Sequence, residues 1–197
     1  KTGTLTENRM TVTQVYAGRQ VYTVTGDGMA LEGDFMCDGS AVKVRHRPAL
    51  DALLAAGYHC NDARVHTDKS VGDPTEIALR IAGIKAGMVD SRLRRLVELP
   101  FDSSAKYMAI LAEEDKYRRI YVKGAPEVVL GMCTSELDED GNAGKLDETL
   151  TLTQAESFAG DALRTLAMAY KDVPEDYCEL DQTHLVDLCF LGLEGMI

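Results

Sequence analysis

Apolar and polar residues alternate along the first part of the chain. The alternation runs from Met10 to Thr25 and is interrupted in the middle by Ala17-Gly18-Arg19. A period of two on both sides of a glycine-containing turn predicts a β-hairpin. The segment that follows, 26–40 (GDGMALEGDFMCDGS), is rich in glycine and aspartate, and it predicts mostly loop.

Helical spacing of apolar residues predicts two helices in the next part of the chain. Residues 48–60 form an amphipathic helix with Leu50, Leu53, Leu54 and Gly57 at helical spacing. The segment 72–87 (GDPTEIALRIAGIKAG) has Asp73 as N-cap, Pro74 at the first helical position and Glu76 three residues after the cap. One face of this second helix is expected to carry three isoleucines, at positions 77, 81 and 84.

Strand patterns dominate after residue 97. VELPF, YMAILAE and YRRIYVK predict three strands, and the polar turn EEDK separates the last two. Gly124-Ala125-Pro126 then ends a strand and begins a short helix, and a T-x-x-E box at Thr153 predicts a further helix that runs to about Leu163. RTLAMAYK and VDLCFLGL predict the last strands. Adjacent hairpins mixed with helices indicate an α+β fold with an antiparallel, twisted sheet flanked by helices.

Composition and net charge limit the kinds of partner and ligand that we expect for the chain. The chain has 197 residues, which can form one domain, and 45% of them are hydrophobic, as in ordinary globular proteins. Its net charge of −11 argues against nucleic acid or an anionic membrane as a partner of the whole surface, whereas a compact anion such as a nucleotide can still bind locally. Five widely spaced cysteines without a C-x-x-C pair predict neither a metal site nor disulfides. No apolar run approaches the roughly 20 residues of a membrane span, so we expect a soluble fragment.

Three stretches carry candidate chemistry, and each also has a purely structural interpretation. In PFDSSAKYM, Phe101, Lys106 and Met108 would suit an adenine ring with trailing phosphates, if Lys106 and Met108 face the same side of a strand. Alternatively, Phe101 and Met108 belong to the core and Lys106 is solvated. In KGAPE, Lys123 precedes a glycine that allows the backbone to approach a ligand, or the motif is a plain strand-to-helix turn.

The third stretch, KTGTLT, opens the chain and supplies hydroxyl groups that could face a phosphate, although many surface turns look alike. Taken together, these stretches resemble the nucleotide-binding (N) domain of a P-type cation-transporting ATPase. The resemblance covers the whole chain in family order: KTGTLTEN, VTGDGMALEGDF, CND, GDPTE, PFDSSAKYM, KGAPE, ALRTLAMAYK and FLGLEGMI. It implies one ATP-binding domain over 1–197, with 1–9 and 190–197 as hinge or edge segments leading to the phosphorylation domain.

The resemblance also implies roles for individual residues. Glu76 resembles the glutamate beside the adenine amino group, and Phe101 resembles the ring that stacks on adenine. Lys106 corresponds to the lysine at the pocket mouth, with Met108 in the same stretch, and Lys123 and Gly124 correspond to the base of the pocket. The remaining implied positions are Arg164 near the polyphosphate and ribose, Leu166 packing nearby, Asp73 shaping the pocket, and Thr2 near the γ-phosphate and magnesium. Ser103 stands where reticulum calcium pumps carry an arginine, so Arg164 is expected to serve as the phosphate-side cation alone.

The function implied is that of one part of an ion pump. ATP, with Mg²⁺, would be presented to an aspartate expected immediately before Lys1, and the phosphorylation and actuator domains would be the partners of a cytoplasmic domain in an integral membrane protein. Calcium is the ion favoured by analogy. We expect the fragment itself to be monomeric, without a metal site and almost inactive, and to bind ATP or ADP but no nucleic acid. The alternatives are an acidic protein-interaction module and a dehalogenase-type phosphatase, whose D-x-[DT]-G-T and G-D-x-x-N-D motifs the sequence lacks.

Overall fold

The computed structural model describes residues 9–67, 69–90 and 93–197. Thr2 therefore lies outside the described residues. The helices are α1 (Pro48–His59), α2 (Pro74–Lys85), α3 (Pro126–Leu130) and α4 (Glu148–Gly160). The strands are β1 (Val12–Ala17), β2 (Gln20–Val24), β3 (Phe35–Cys37), β4 (Ser40–Val42), β5 (Arg64–Val65), β6 (Ser70–Val71), β7 (Arg94–Asp102), β8 (Tyr107–Glu114), β9 (Tyr117–Gly124), β10 (Cys133–Leu137), β11 (Ala143–Lys145), β12 (Arg164–Val173) and β13 (Leu188–Met196).

One large sheet organises the molecule. Its strand order is β4-β3-β2-β1-β13-β12-β9-β8-β7, with β10 and β11 attached beside β13, and β5 pairs separately with β6. The pairings are antiparallel except that of β10 with β13. The predicted α+β fold with a mainly antiparallel sheet is confirmed. Within the described residues, no helix is long and apolar enough to cross a membrane.

Helices cover both faces of the sheet, and this explains the continuous apolar run in β8. Met108 and Ile110 pack into the cluster beneath α1 and α2, whereas Ala109 and Leu111 pack into the cluster beneath α3 and α4. Successive strand residues point to opposite faces, so a strand buried on both sides is apolar throughout. Burial of these side chains on both faces is the main source of stability for such a sheet.

The last strand lies at the centre of the sheet. β13 is buried along its whole length and pairs with β1 on one side and β12 on the other. Thr11 and Ile197 exchange backbone hydrogen bonds of 2.9 and 3.0 Å, so the two ends of the described chain lie side by side. Residues 190–196 belong to this central strand and are buried. Their role as a hinge segment stays a prediction.

Local signals predicted several elements correctly. The first hairpin turns at Gly18 and Arg19, whose φ angles are 56° and 63°, as a two-residue hairpin turn requires. α1 begins at Pro48, and the Asp73 side chain caps α2 by accepting a hydrogen bond of 2.9 Å from the Thr75 N–H. The 26–40 segment is less irregular than predicted, because Asp38-Gly39 forms a second tight turn between β3 and β4.

Two helix predictions need correction. α4 begins at Glu148 and is capped by Asp147, so Thr153 lies inside the helix and its hydroxyl donates to the Thr149 carbonyl at 2.9 Å. In α2, Ile81 is buried together with Leu79 and small residues, whereas Ile77 and Ile84 of the predicted isoleucine face are only partly buried. Small residues occupy this face because α2 lies close against α1.

Candidate functional site

A cleft of about 210 Å³ opens on the α1/α2 face of the sheet. It lies between the N-terminus of α2 and the ends of β7, β9 and β12. Seven residues singled out from the sequence line it: Asp73, Glu76, Phe101, Lys123, Gly124, Arg164 and Leu166. Segments more than 90 positions apart thus meet in one place, and the cleft combines acidic, basic and apolar side chains.

A buried ion pair forms one wall of the cleft. The Lys123 Nζ donates to the Glu76 Oε1 at 2.5 Å, and the two side chains are 6% and 16% exposed. The other carboxylate oxygen, Oε2, accepts the Asp62 N–H at 3.2 Å. Breaking a buried pair by removing one partner leaves an uncompensated charge, so this pair fixes the position of Glu76 in the wall.

The end of α1 holds the start of α2 in place. The Asn61 side-chain amide donates to the Gly57 carbonyl at 3.0 Å and to the Glu76 carbonyl at 2.8 Å. Asn61 is itself buried, so these bonds satisfy a polar group that has left water. The carboxylate of Glu76 is therefore positioned by both its own helix and the neighbouring one. It does not complete the capping box predicted from the sequence, because it points toward Lys123 and Asp62.

Asp73 and Arg164 make the rim of the cleft polar. Burial alone would raise the pKa of the Asp73 carboxyl, but hydrogen bonds from Thr75 and the Glu76 N–H, together with the charge of Arg164, hold this pKa below its usual value. Asp73 is consequently a carboxylate with a guanidinium near it. Arg164 is exposed at the start of β12, where it can also reach an anion in solution.

The apolar side of the cleft is formed by Phe101 and Leu166. The Phe101 side chain is 59% exposed, which is unusual for so large an apolar ring. The structural interpretation of Phe101 as a core residue is therefore wrong. An exposed ring beside buried charged groups provides a surface on which a flat, partly polar ligand can stack.

The core interpretation is correct for Met108, which is fully buried opposite Lys123 and does not line the cleft. The prediction that Lys106 and Met108 face one side of a strand is wrong, because Lys106 lies in the turn before β8 with φ of 61°. Its Nζ is 3.4 Å from the Glu127 Oε1 in an exposed ion pair. Ser103 lies in the same exposed turn, which the Asp102 carboxylate closes by accepting the N–H groups of Ser104 and Ala105.

Gly124 lies where two backbone segments almost touch. A Cβ on Gly124 would be 2.5 Å from the Lys106 carbonyl oxygen, and the Ala125 N–H donates to that same oxygen at 3.0 Å. Glycine is thus required for the packing of this turn. The same bare backbone forms part of the cleft wall, so the structural role is compatible with the close approach of a ligand, which stays a prediction.

Asp62 and Thr75 also line the cleft, and sequence reasoning assigned neither of them to the site. The Asp62 carboxylate forms an ion pair of 2.6 Å with the Arg95 guanidinium. Its position in the CND motif is the sequence feature that could have assigned it to the cleft. Thr75 lies in the first turn of α2. Within the described residues, no group of three or more His, Cys, Asp or Glu side chains is arranged to hold a metal ion. The exposed ring, the carboxylates and the guanidinium that line the cleft suit an organic ligand that has a flat apolar part, a hydrogen-bond donor and an anionic end.

Comparison with known proteins gives a consistent result. A family model described as the cytoplasmic domain N of P-type ATPases matches residues 49–197. The chain is 39% identical to a cation-transporting ATPase, pma1, of Synechocystis, over 100% of the chain and 23% of that protein. It is 35% identical to a calcium-transporting ATPase of Bacillus subtilis and 34% identical to the human calcium-transporting ATPase type 2C member 1, again over 100% of the chain. The chain spans between a fifth and a quarter of these relatives, 21% to 23% of their length.

Proposed function

Because the chain belongs to the family of cytoplasmic N domains of P-type ATPases, we propose that its cleft binds ATP and ADP for a cation-transporting pump. The observation that carries the proposal is the convergence of an exposed ring, Phe101, a partly buried carboxylate, Glu76, and an exposed guanidinium, Arg164, on one cleft. These groups match the three chemically distinct parts of an adenine nucleotide: the base face, the exocyclic amine and the phosphates.

The base would occupy the inner part of the cleft. Its face stacks on Phe101 and its edge packs on Leu166, and stacking of a base on an aromatic ring contributes roughly 1–3 kcal/mol. The exocyclic amine donates to the Glu76 carboxylate, whose Oε2 is held by the Asp62 N–H. A carboxylate accepts hydrogen bonds and donates none when ionised, so it favours a base that presents an amine at this edge.

The phosphates would leave the cleft toward its mouth. Arg164 offers a planar set of N–H donors suited to phosphate oxygens. Lys106 is the second available cation, because its contact with Glu127 is an exposed ion pair and such pairs contribute little stability. Mg²⁺ would enter the site bound to the phosphates and would neutralise part of their charge.

In the whole pump, the domain would position the terminal phosphate for transfer to the aspartate expected before Lys1. Phosphoryl transfer depends chiefly on positioning and on charge stabilisation, so a domain that holds the base contributes directly to the rate. The phosphorylation and actuator domains would be its partners on the cytoplasmic side of the membrane. By the names of the relatives, calcium is the cation we propose for transport.

Titration of the chain with ATP and ADP, followed by amide chemical shifts, tests the proposal. We expect a dissociation constant between about 1 mM and tens of micromolar, equivalent to about −4 to −6 kcal/mol, because the phosphate end lacks its partner domain. The amides of Glu76, Phe101, Lys106 and Gly124 should shift together and saturate. No shifts at several times the expected dissociation constant would contradict nucleotide binding.

A pair of aromatic variants makes the test specific. Phe101→Ala should weaken binding by about tenfold or more. Tyr117→Ala removes a ring that is 78% exposed at the opposite end of β9, and it should leave the affinity unchanged. Equal effects of both substitutions would contradict the stacking role. Competition between ATP and ADP separates nucleotide binding from the rival function, an acidic protein-interaction module, for which saturable and competitive nucleotide binding is not expected.

A further inference from the structure

A carboxyl group is buried beneath the floor of the cleft. Glu194 lies on the central strand β13, is fully buried, and neither of its carboxyl oxygens has a hydrogen-bond partner. Helix α1 leaves room for it at Gly57, where a Cβ would be 2.7 Å from the Glu194 Oε1. A buried polar group without a partner is costly, so its presence in the centre of the sheet calls for a physical explanation.

Lys123 lies on the same face of the sheet as Glu194. Glu194 pairs with Leu166 on β12, and Lys123 pairs with Met168, two residues further along β12. Paired residues of antiparallel strands point to one face, and so do residues two apart on a strand. Leu166 lines the cleft, and the Met168 Cε lies 3.4 Å from the position of a Cβ at Gly57, next to the Glu194 carboxyl, so Lys123 and Glu194 border the same region of this face.

The hydrogen-bonding needs of the two groups are complementary. A lysine ammonium has three N–H donors, and the hydrogen bond that Lys123 makes in the structure goes to Glu76. Glu194 has two oxygens without donors on the same face. A ligand that donates to Glu76 would compete with Lys123 for that carboxylate and leave its ammonium in need of another acceptor.

We propose that the Glu194 carboxylate is a second hydrogen-bond acceptor for the Lys123 ammonium. When the amine of a bound nucleotide donates to Glu76, the Lys123 side chain rotates from Glu76 toward Glu194. The exchange part of this proposal rests on the proposed function of the cleft. Glu194 is thus a positioning residue: it acts on the ligand through Lys123 and does not touch the ligand itself.

Movement of the Lys123 ammonium from Glu76 to Glu194 releases one proton from Glu194 to solvent. Burial raises the pKa of the Glu194 carboxyl well above its usual value, and the charge of Lys123 acts in the opposite direction. The titratable groups on this side of the sheet include Lys123 and Tyr121 of β9, Tyr170 of β12, Cys189 of β13, Tyr22 of β2, Cys60 of α1 and Glu76 of α2. In the ligand-free protein the raised pKa means that the Glu194 carboxyl keeps its proton to a higher pH than an ordinary glutamate does. When the ammonium approaches, the carboxyl ionises and its proton passes to solvent, so nucleotide affinity rises with pH while Glu194 is protonated in the free protein.

Calorimetry with ADP measures this proton. Titrations in two buffers of different ionisation enthalpy should show the release of up to about one proton per ADP by the wild-type protein, and an affinity that increases by up to about tenfold per pH unit. Glu194→Gln keeps the shape of the side chain without the ionisable group, so it should remove this proton release and flatten the profile. Glu175→Gln, at an exposed position, is the matched control and should behave as the wild type.

A ligand-free measurement tests the pairing independently. The carboxyl carbon of Glu194, followed by NMR against pH, should titrate about one pH unit or more higher in Lys123→Met than in the wild-type protein. Equal midpoints would overturn the pairing. ADP binding without the release of a proton attributable to Glu194 would overturn the exchange alone. A wild-type protein that binds no ADP would overturn the proposed function, and the exchange with it.

Discussion

His59 shows how burial sets the charge of a single residue. It ends α1, with its ring centroid 5.1 Å from that of Tyr58 and 6.3 Å from that of Tyr121. Burial lowers the pKa of its imidazole to about 4, and the charge of Arg80 acts in the same direction. The imidazole is therefore neutral in the folded protein at a pH where it would be half protonated in the unfolded chain.

The buried imidazole of His59 makes the stability of the folded protein depend on pH. Between about pH 6.5 and pH 4 the unfolded chain binds a proton at His59 that the folded protein does not, so the free energy of unfolding falls as the pH falls. We expect His59→Gln to lose less stability than the wild type between pH 7 and pH 5, by up to about 2 kcal/mol. Urea unfolding at both pH values measures the difference. His46→Gln, at an exposed position, is the control, and an equal pH response of the two variants would contradict the assignment.

The motifs predicted most of the side chains that line the cleft, but not the conformation and contacts of each one. Lys106 was expected on a strand facing the ligand, whereas its positive φ places it in a turn. A lysine in the left-handed region is uncommon, so no local pattern predicts this conformation. Glu194 was not singled out, because a glutamate in an apolar strand is recognised as unusual only when the strand is known to be central.

The contact between α1 and α2 depends on a glycine inside a helix. A Cβ on Gly83 would lie 2.6 Å from the Tyr58 Cδ2 and 2.9 Å from its Cβ, so the two helices approach closely here. Glycine in a helix interior costs about 1 kcal/mol relative to alanine, and the close packing against Tyr58 offsets that cost. Since α2 carries Glu76, the spacing of these helices also sets one wall of the cleft.

Gly83→Ala should destabilise the protein by about 1–3 kcal/mol, although alanine is the better helix former, because α2 must move away from Tyr58. Gly160→Ala is the matched control. Gly160 is the last residue of α4, and a Cβ there meets nothing within 4 Å, so this substitution should be neutral or stabilising by up to about 1 kcal/mol. Urea unfolding of both variants measures the change in the free energy of unfolding. Stabilisation by Gly83→Ala would contradict the packing argument.

Two agreeing signals made the start of α2 predictable. Asp73 and Pro74 mark the start of α2 together, and the structure begins the helix there. At α4 the T-x-x-E pattern at Thr153 competed with Asp147, whose carboxylate accepts the Leu150 N–H at 2.9 Å. Both patterns are valid locally. The earlier cap prevails, and it brings Thr151 as well as Phe158 onto the buried side of the helix.

At the scale of the whole molecule, the strand order is the part that sequence patterns did not predict. Hairpins could be inferred from neighbouring strands, and the pairs β1-β2 and β8-β9 agree with them. β13, however, inserts between β1 and β12, and its partners in β1 lie about 180 positions earlier in the chain. Pairing at such separation depends on which apolar faces remain uncovered, and alternation within one strand carries no information about that.

The same architecture separates the cleft from the opposite face of the sheet. The cleft takes residues from α2, β7, β9 and β12 on the α1/α2 face, whereas α3 and α4 cover the other side with a separate core cluster. A ligand that binds only the folded protein stabilises it by about 2.7 kcal/mol at a hundred times its dissociation constant. Local openings around the cleft should be suppressed first, because those openings remove the contacts on which binding depends.

Hydrogen–deuterium exchange with and without saturating ATP tests this separation. We expect slower exchange in the first turn of α2, 74–78, and at the end of β9, 122–124, while amides of α4 at 152–158 exchange at the same rate under conditions where local opening dominates. Phe101→Ala should remove the protection at matched ATP concentration, because the ring is the apolar contact for the base. Protection equally strong in α4 would mean that the ligand binds elsewhere or acts through global stability alone, and it would contradict the assignment of the cleft.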